Sequence, residues 1–171
     1  TLDADGQHFP EDMHLFLDVN MAHPGALIVG ERQMLGADRS AGARFANSFS
    51  NFWFCVQTLH YMPDTQSGYR LYPLHKLRGM GLLTSRYEAE LELMVFASWH
   101  GVQLVREPVN VFYPPREERV SHFRPTKDFA RITLLNMVLC LLAVVYGLPL
   151  GVCRFLLKVL RSVYSLSIFI I

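Results

Sequence analysis

The sequence predicts an α/β fold followed by an apolar helical segment, on three observations. Helix-like and strand-like patterns alternate through the first 131 residues, as in a domain built on a sheet flanked by helices. One helix carries a start signal, Ser85-Arg-Tyr-Glu88, that fits a capping box. The hydrophobic residues, 51% of the chain, are concentrated after Arg131, where Ile132 to Cys153 carries no charge at all. Residues 1–131 are thus expected to form the α/β domain, and residues 132–171 a membrane-spanning, hairpin or interfacial helical segment.

Leu2 reads as the end of a buried strand, and Asp3-Ala-Asp-Gly-Gln-His8 as a polar loop whose Gly6 suits a turn. The abrupt start at Thr1 leads us to expect that the chain begins in mid-fold. Pro10 with Glu11 and Asp12 predicts a helix start, running to about Asn20. Gly25-Ala-Leu-Ile-Val-Gly30 is short and apolar, which favours a buried strand. From about Asp38 to Tyr61, Phe45, Phe49, Phe52 and Phe54 recur at helical spacing. Pro63 to Arg70 reads as a polar loop, after which Leu71 and Tyr72 resume a strand pattern. The capped helix carries Leu91, Met94 and Val95 along one side and ends at Gly101. Val102–Arg106 and Val109–Tyr113 read as two strands broken by Pro108.

The uncharged run matches the ~20 residues a helix needs to cross a bilayer. Pro149 and Gly151 are expected to interrupt it, and Arg154, Lys158 and Arg161 then recur among apolar residues as in an amphipathic interfacial helix. Basic residues flank both ends, so the distribution of charge leaves its orientation open. The net charge of +1 points to no nucleic-acid partner, and an anionic ligand would have to be met by locally placed Arg or Lys. Cys55, Cys140 and Cys153 form neither a disulfide framework nor a zinc spacing, which suits a cytoplasmic, reducing setting.

Two carboxylates one residue apart on a strand-end loop, Asp3 and Asp5, can hold a hard divalent cation, although most such pairs are solvated turns. In Asp64-Thr-Gln-Ser-Gly-Tyr-Arg70, Asp64 and Ser67 can bond their own backbone in a turn. Taken as wholes, Asp3-Ala-Asp-Gly-Gln-His-Phe-Pro-Glu-Asp12 and Asp64–Arg70 resemble the metal and Asp-x-x-Ser-Gly-Phe-Arg motifs of family 2 glycosyltransferases. The likeness is to the dolichol-phosphate mannose synthase type and extends over nearly all of residues 1–130. It implies the C-terminal part of a GT-A (Rossmann-like, nucleotide-diphospho-sugar transferase) domain, lacking its N-terminal nucleotide-binding half and inactive in isolation.

The resemblance also implies roles. Asp3, Asp5 and Gln7 would hold Mg²⁺ or Mn²⁺ on the donor diphosphate, and Asp5, Asp64 and Glu90 would be the catalytic carboxylates. Val29-Gly30-Glu31-Arg32 is similar to the family's Gly-Ser-Arg segment. Arg32, Arg44, Ser67 and Arg70 would then bind the donor or its phosphates, for which a permanently charged, forked guanidinium is suited. Glu88 is better explained by capping than by a role at the acceptor. Arg119-Val-Ser-His-Phe-Arg-Pro125 resembles the family's basic loop before the membrane, so Arg119, Ser121, His122 and Arg124 would approach the acceptor phosphate. The implied activity is sugar transfer from a nucleotide-sugar donor to a polyprenyl phosphate at the cytoplasmic membrane face. The alternatives are a same-fold enzyme acting on a hydroxyl of a lipid-linked saccharide or glycolipid, and a non-catalytic membrane adaptor.

Overall fold

The computed structural model describes residues 1–4, 6–36, 41–85, 87–113 and 125–168. The helices are α1 (Met13–Ala22, entered through a 3-10 turn at Pro10–Asp12), α2 (Ala41–Thr58), α3 (Leu74–Leu77), α4 (Tyr87–Trp99), α5 (Pro125–Leu142) and α6 (Leu148–Ile168). The strands are β1 (Leu27–Gly36), β2 (Arg70–Leu71) and β3 (Leu104–Tyr113). They form one mixed sheet in the order β2-β1-β3, with β1 parallel to β3 and antiparallel to β2.

Alternation along β1 builds the two sides of the core. Leu27 and Val29 join Phe54 of α2, Met94 and Val95 of α4, and Leu135 and Leu139 of α5. Ala26 and Ile28 face the other way, onto Phe16 of α1, Tyr69, Val109 and Val111. The sheet is thus sandwiched between α1 and a layer of α2, α4 and α5, a mixed α/β architecture. Gly30 has a steric reason to be glycine, since a Cβ there would press on Val109, the Tyr69 carbonyl and Phe16.

Several expected boundaries shift. Leu2 closes no strand of the sheet, yet Thr1 and Arg70 exchange both backbone hydrogen bonds, at 2.6 and 3.0 Å. The strand expected to stop at Gly30 continues to Gly36 because each of its residues pairs with β3. Pro108 does not split β3, which has a single neighbouring strand among the described residues and so needs no N–H from proline on its other edge. The long aromatic helix begins at Ala41 and ends at Thr58, residues 37–40 lying outside the described set. The loop before α4 is tied down by Glu92, whose carboxylate accepts from the Leu83 and Thr84 N–H groups and from the Thr84 hydroxyl.

The expected interruption at Pro149 and Gly151 is also corrected. The chain remains helical from Pro125 to Ile168, and the accommodation is a π turn over Ala143–Gly147, just upstream of the proline. Proline lacks the N–H that would close on the carbonyl four residues back, and a widened turn absorbs the mismatch. Within this run, Phe129–Ser162 is long and apolar enough to cross a membrane.

Candidate functional site

The loop Pro63–Gly68 is held from three directions. Asn51 of α2 donates to the Pro63 carbonyl (2.6 Å) and accepts from the Thr65 N–H (3.0 Å), and the Thr65 hydroxyl reaches Ser50 at 2.7 Å. Arg70 closes the loop from below. Arg70 is 2% exposed; its guanidinium donates to the carbonyls of Ser67 (2.7 Å), Thr65 (2.9 Å) and Glu90 (2.9 Å) and to the Tyr72 hydroxyl, and forms an ion pair with the Glu90 carboxylate at 3.3 Å. Four of the five N–H groups of that fork are bonded within the chain, so here Arg70 organises the loop and joins it to α4.

Arg32, at the middle of β1, reaches across to the same loop. Its Nε and Nη2 donate to the two carboxylate oxygens of Asp64, each at 2.6 Å, and its backbone N–H adds a bond of 3.2 Å. Burial alone would lower the Arg32 pKa, but the Asp64 hydrogen bonds and charge outweigh it and raise the value. Tyr113, at the end of β3, sits against Arg32 Nη1 at 3.4 Å.

Asp3 arrives over this loop from the other end of the sequence. Its carboxylate lies so close to Gly68 that a Cβ there would overlap it, and the Thr1 hydroxyl donates to the Gly68 carbonyl at 3.3 Å. Asp3 remains half exposed, with His8 Nε2 4.0 Å away. Gly6 takes a left-handed φ of 72°, turning the chain so that the Gln7 carbonyl accepts from Phe112 and His8 bridges to Val111. Ser67 Oγ is fully buried and has no hydrogen-bond partner among the described residues, an arrangement that asks for a ligand or water.

Glu90 completes the cluster from α4. Its side chain is half exposed, and burial of the carboxyl raises its pKa, with Arg70 pulling down and the nearby charge of Asp3 pushing up. At the start of α4, a groove of about 400 Å³ runs between Leu83, Thr84 and Glu88 on one side and Leu134, Leu135 and Val138 of α5 on the other, with Arg131 in its wall.

The fold therefore brings Asp3, Arg32, Asp64, Ser67, Arg70 and Glu90 together, with Gln7 on the adjoining loop. Arg44 lies exposed on the first turn of α2. Asp5, Arg119, Ser121, His122 and Arg124 lie outside the described residues. Among the described residues no group of three or more His, Cys, Asp or Glu side chains is arranged to hold a metal. Sequence reasoning missed Ser50 and Asn51, whose signal was two adjacent polar residues inside an aromatic helix, and Tyr113, for which the sequence offered none.

No protein-family profile matches the chain, and no solved structure matches it. It is similar to the "Uncharacterized protein MJ1222" of Methanocaldococcus jannaschii, 27% identical over 121 residues, which cover 66% of this chain and 49% of that protein. The chain thus spans about half the length of the curated relative it matches.

Proposed function

We propose that this chain is part of a metal-dependent glycosyltransferase of GT-A fold that moves a sugar from a nucleotide-diphosphate sugar onto a polyprenyl phosphate at the cytoplasmic membrane face. One observation carries the reading: the two glycosyltransferase-like motifs, more than sixty residues apart, meet where the Asp3 carboxylate rests on Gly68. A pair of unrelated solvated turns would have no reason to converge.

The donor set suits a hard cation. Asp3 and Glu90 are half-exposed carboxylates close enough for the charge of Asp3 to disfavour ionisation of Glu90, a repulsion that a bound divalent cation would relieve. Asp3, with Gln7 and Asp5 of the same loop, would hold Mg²⁺ or Mn²⁺, which when bound offsets the charge developing on the leaving diphosphate. Arg32 and Arg70 keep the loop that carries Ser67 in place.

In the reaction, a phosphate oxygen of the acceptor attacks the anomeric carbon as the bond from that carbon to the nucleoside diphosphate breaks, with inversion. An acceptor phosphate is already anionic, so no base need remove a proton. The groove between α4 and α5 offers an apolar wall for an isoprenoid tail, with Arg131 as a counter-charge. A hydroxyl acceptor would need a base, and Glu90 suits that task better than Asp64, whose two oxygens are both engaged by Arg32.

The test is product analysis with the full-length protein and labelled GDP-mannose or UDP-glucose. Labelled polyprenyl phosphate that releases its sugar in mild acid supports the proposal. Label that enters only acid-stable glycosides of a saccharide or glycolipid would replace it with the hydroxyl-acceptor reading.

A further inference from the structure

The helical run after Pro125 is apolar enough to cross a bilayer, yet one side of it is docked along the domain. Leu135, Leu139 and Ala143 are buried in the core shared with α2 and α4, and Leu150 packs against its edge. Asn136 is buried and accepts from Gln57 of α2 at 2.9 Å. Gly147 lies so close to the Trp99 indole that a Cβ would overlap it, and the Tyr146 hydroxyl is 3.0 Å from His100 Nε2. Arg154 donates to the Trp99 carbonyl at 2.9 Å, capping the C-terminal end of α4 with a cation where the helix dipole favours one. These contacts extend from Leu135 to Arg154, about 28 Å of helix axis.

Crossing the membrane with this run would carry its docking partners into the hydrocarbon, which is about 30 Å thick. Leu142 and Tyr146 share a cleft of about 810 Å³ with Lys76, Arg78, Trp99 and His100. Lys76 and Arg78 are exposed and have no ion pair or hydrogen-bonded side-chain partner among the described residues, so lipid tails would have to surround two uncompensated charges.

The charge pattern of α6 agrees. Arg154 lies on the docked side, and Lys158 and Arg161 follow it at spacings of four and three, on the same face. The opposite face is apolar and exposed throughout: Met137, Leu141, Val144, Leu148, Val152 and Leu156. A helix with cations towards the domain and an apolar outer face matches the surface of a bilayer.

We infer that the helix from Leu135 to Arg161 lies in the plane of the membrane surface, its outer face among the lipids and its inner face holding the α/β domain against the headgroups. The test uses full-length protein in mixed phosphatidylcholine and phosphatidylglycerol vesicles, with single nitroxide labels at Met137, Leu141, Val144, Leu148, Val152 and Leu156. Oxygen and nickel-chelate accessibility then reads depth. All six labels are expected at one shallow depth, ~5–10 Å below the headgroups. A depth that climbs to ~15 Å near Leu141–Leu148 and falls on either side would overturn the inference. Because those labels require cysteine replacements, a second measurement uses Lys158→Cys alone in sealed inverted membrane vesicles with a membrane-impermeant maleimide. Labelling beyond that of the unsubstituted protein, from the face that carries the α/β domain, is expected, and labelling only from the opposite face, or from neither, would overturn it. Neither readout depends on sugar transfer.

Discussion

Arg32 and Asp64 form a forked ion pair, two bonds of 2.6 Å between the middle of β1 and the loop that precedes β2. With the Asp64 side chain 5% exposed and that of Arg32 15% exposed, the pair is held largely out of water. Removing one partner leaves the other buried and uncompensated. Asp64→Asn is therefore expected to cost about 3 kcal/mol of stability, and Arg32→Lys, which keeps the charge but loses the fork, about half as much. Thermal unfolding of the detergent-solubilised protein would check this, and equal effects of the two substitutions would argue against the fork as the stabilising feature.

Arg70 should be as intolerant of change. Replacing it by Met would strand the carbonyls of Thr65, Ser67 and Glu90 in a buried site, at roughly 1–3 kcal/mol for each group left unsatisfied. The expected outcome is a destabilised protein with no transfer activity, read by denaturant unfolding. A stable Arg70→Met protein that had lost only donor affinity would instead mean that Arg70 contacts the donor.

Glu90 gives a pH signature. Burial raises its folded pKa above the ordinary 4.5, so the folded state binds the proton more tightly than the unfolded state does. Its favourable contribution is complete below the unfolded value and is lost as pH rises through the folded one. Glu90→Gln should raise the melting temperature at neutral pH, with the advantage shrinking on acidification towards pH 4.5. A difference that stays constant with pH would contradict the assignment.

How much of this was legible in sequence depends on where the determining contacts lie. The α/β class, α1 and α4 rest on local patterns and are read correctly. The length of β1, the continuity of β3 and the π turn depend on which strand or helix lies alongside, which no local window contains. For the site, the motifs name Asp3, Asp64, Ser67 and Arg70, but their division of labour is tertiary. Only packing distinguishes Arg70, buried and bonded to three carbonyls inside the chain, from a free phosphate ligand. The resemblance itself carries no geometry, so the seat of Asp3 on Gly68 could not have been anticipated from it.

That seat supplies a substitution that separates stability from activity. A Cβ at Gly68 would meet the flexible end of the Asp3 side chain, which can swing away, and the Gly68 backbone has no left-handed requirement. Gly68→Ala should thus change stability by less than about 1 kcal/mol while moving a carboxylate on which the proposed reaction depends. A misplacement of that size can reduce turnover by about 10²-fold.

The most direct measurement compares wild type, Asp3→Asn and Gly68→Ala in the full-length protein for transfer of labelled sugar to polyprenyl phosphate, with Mn²⁺ and with EDTA. We predict wild-type transfer that EDTA abolishes, and losses of about 10²-fold or more in both variants at near-native melting temperature. Transfer that persists in EDTA and in both variants, or its absence from the wild type with every donor and acceptor, would contradict the account.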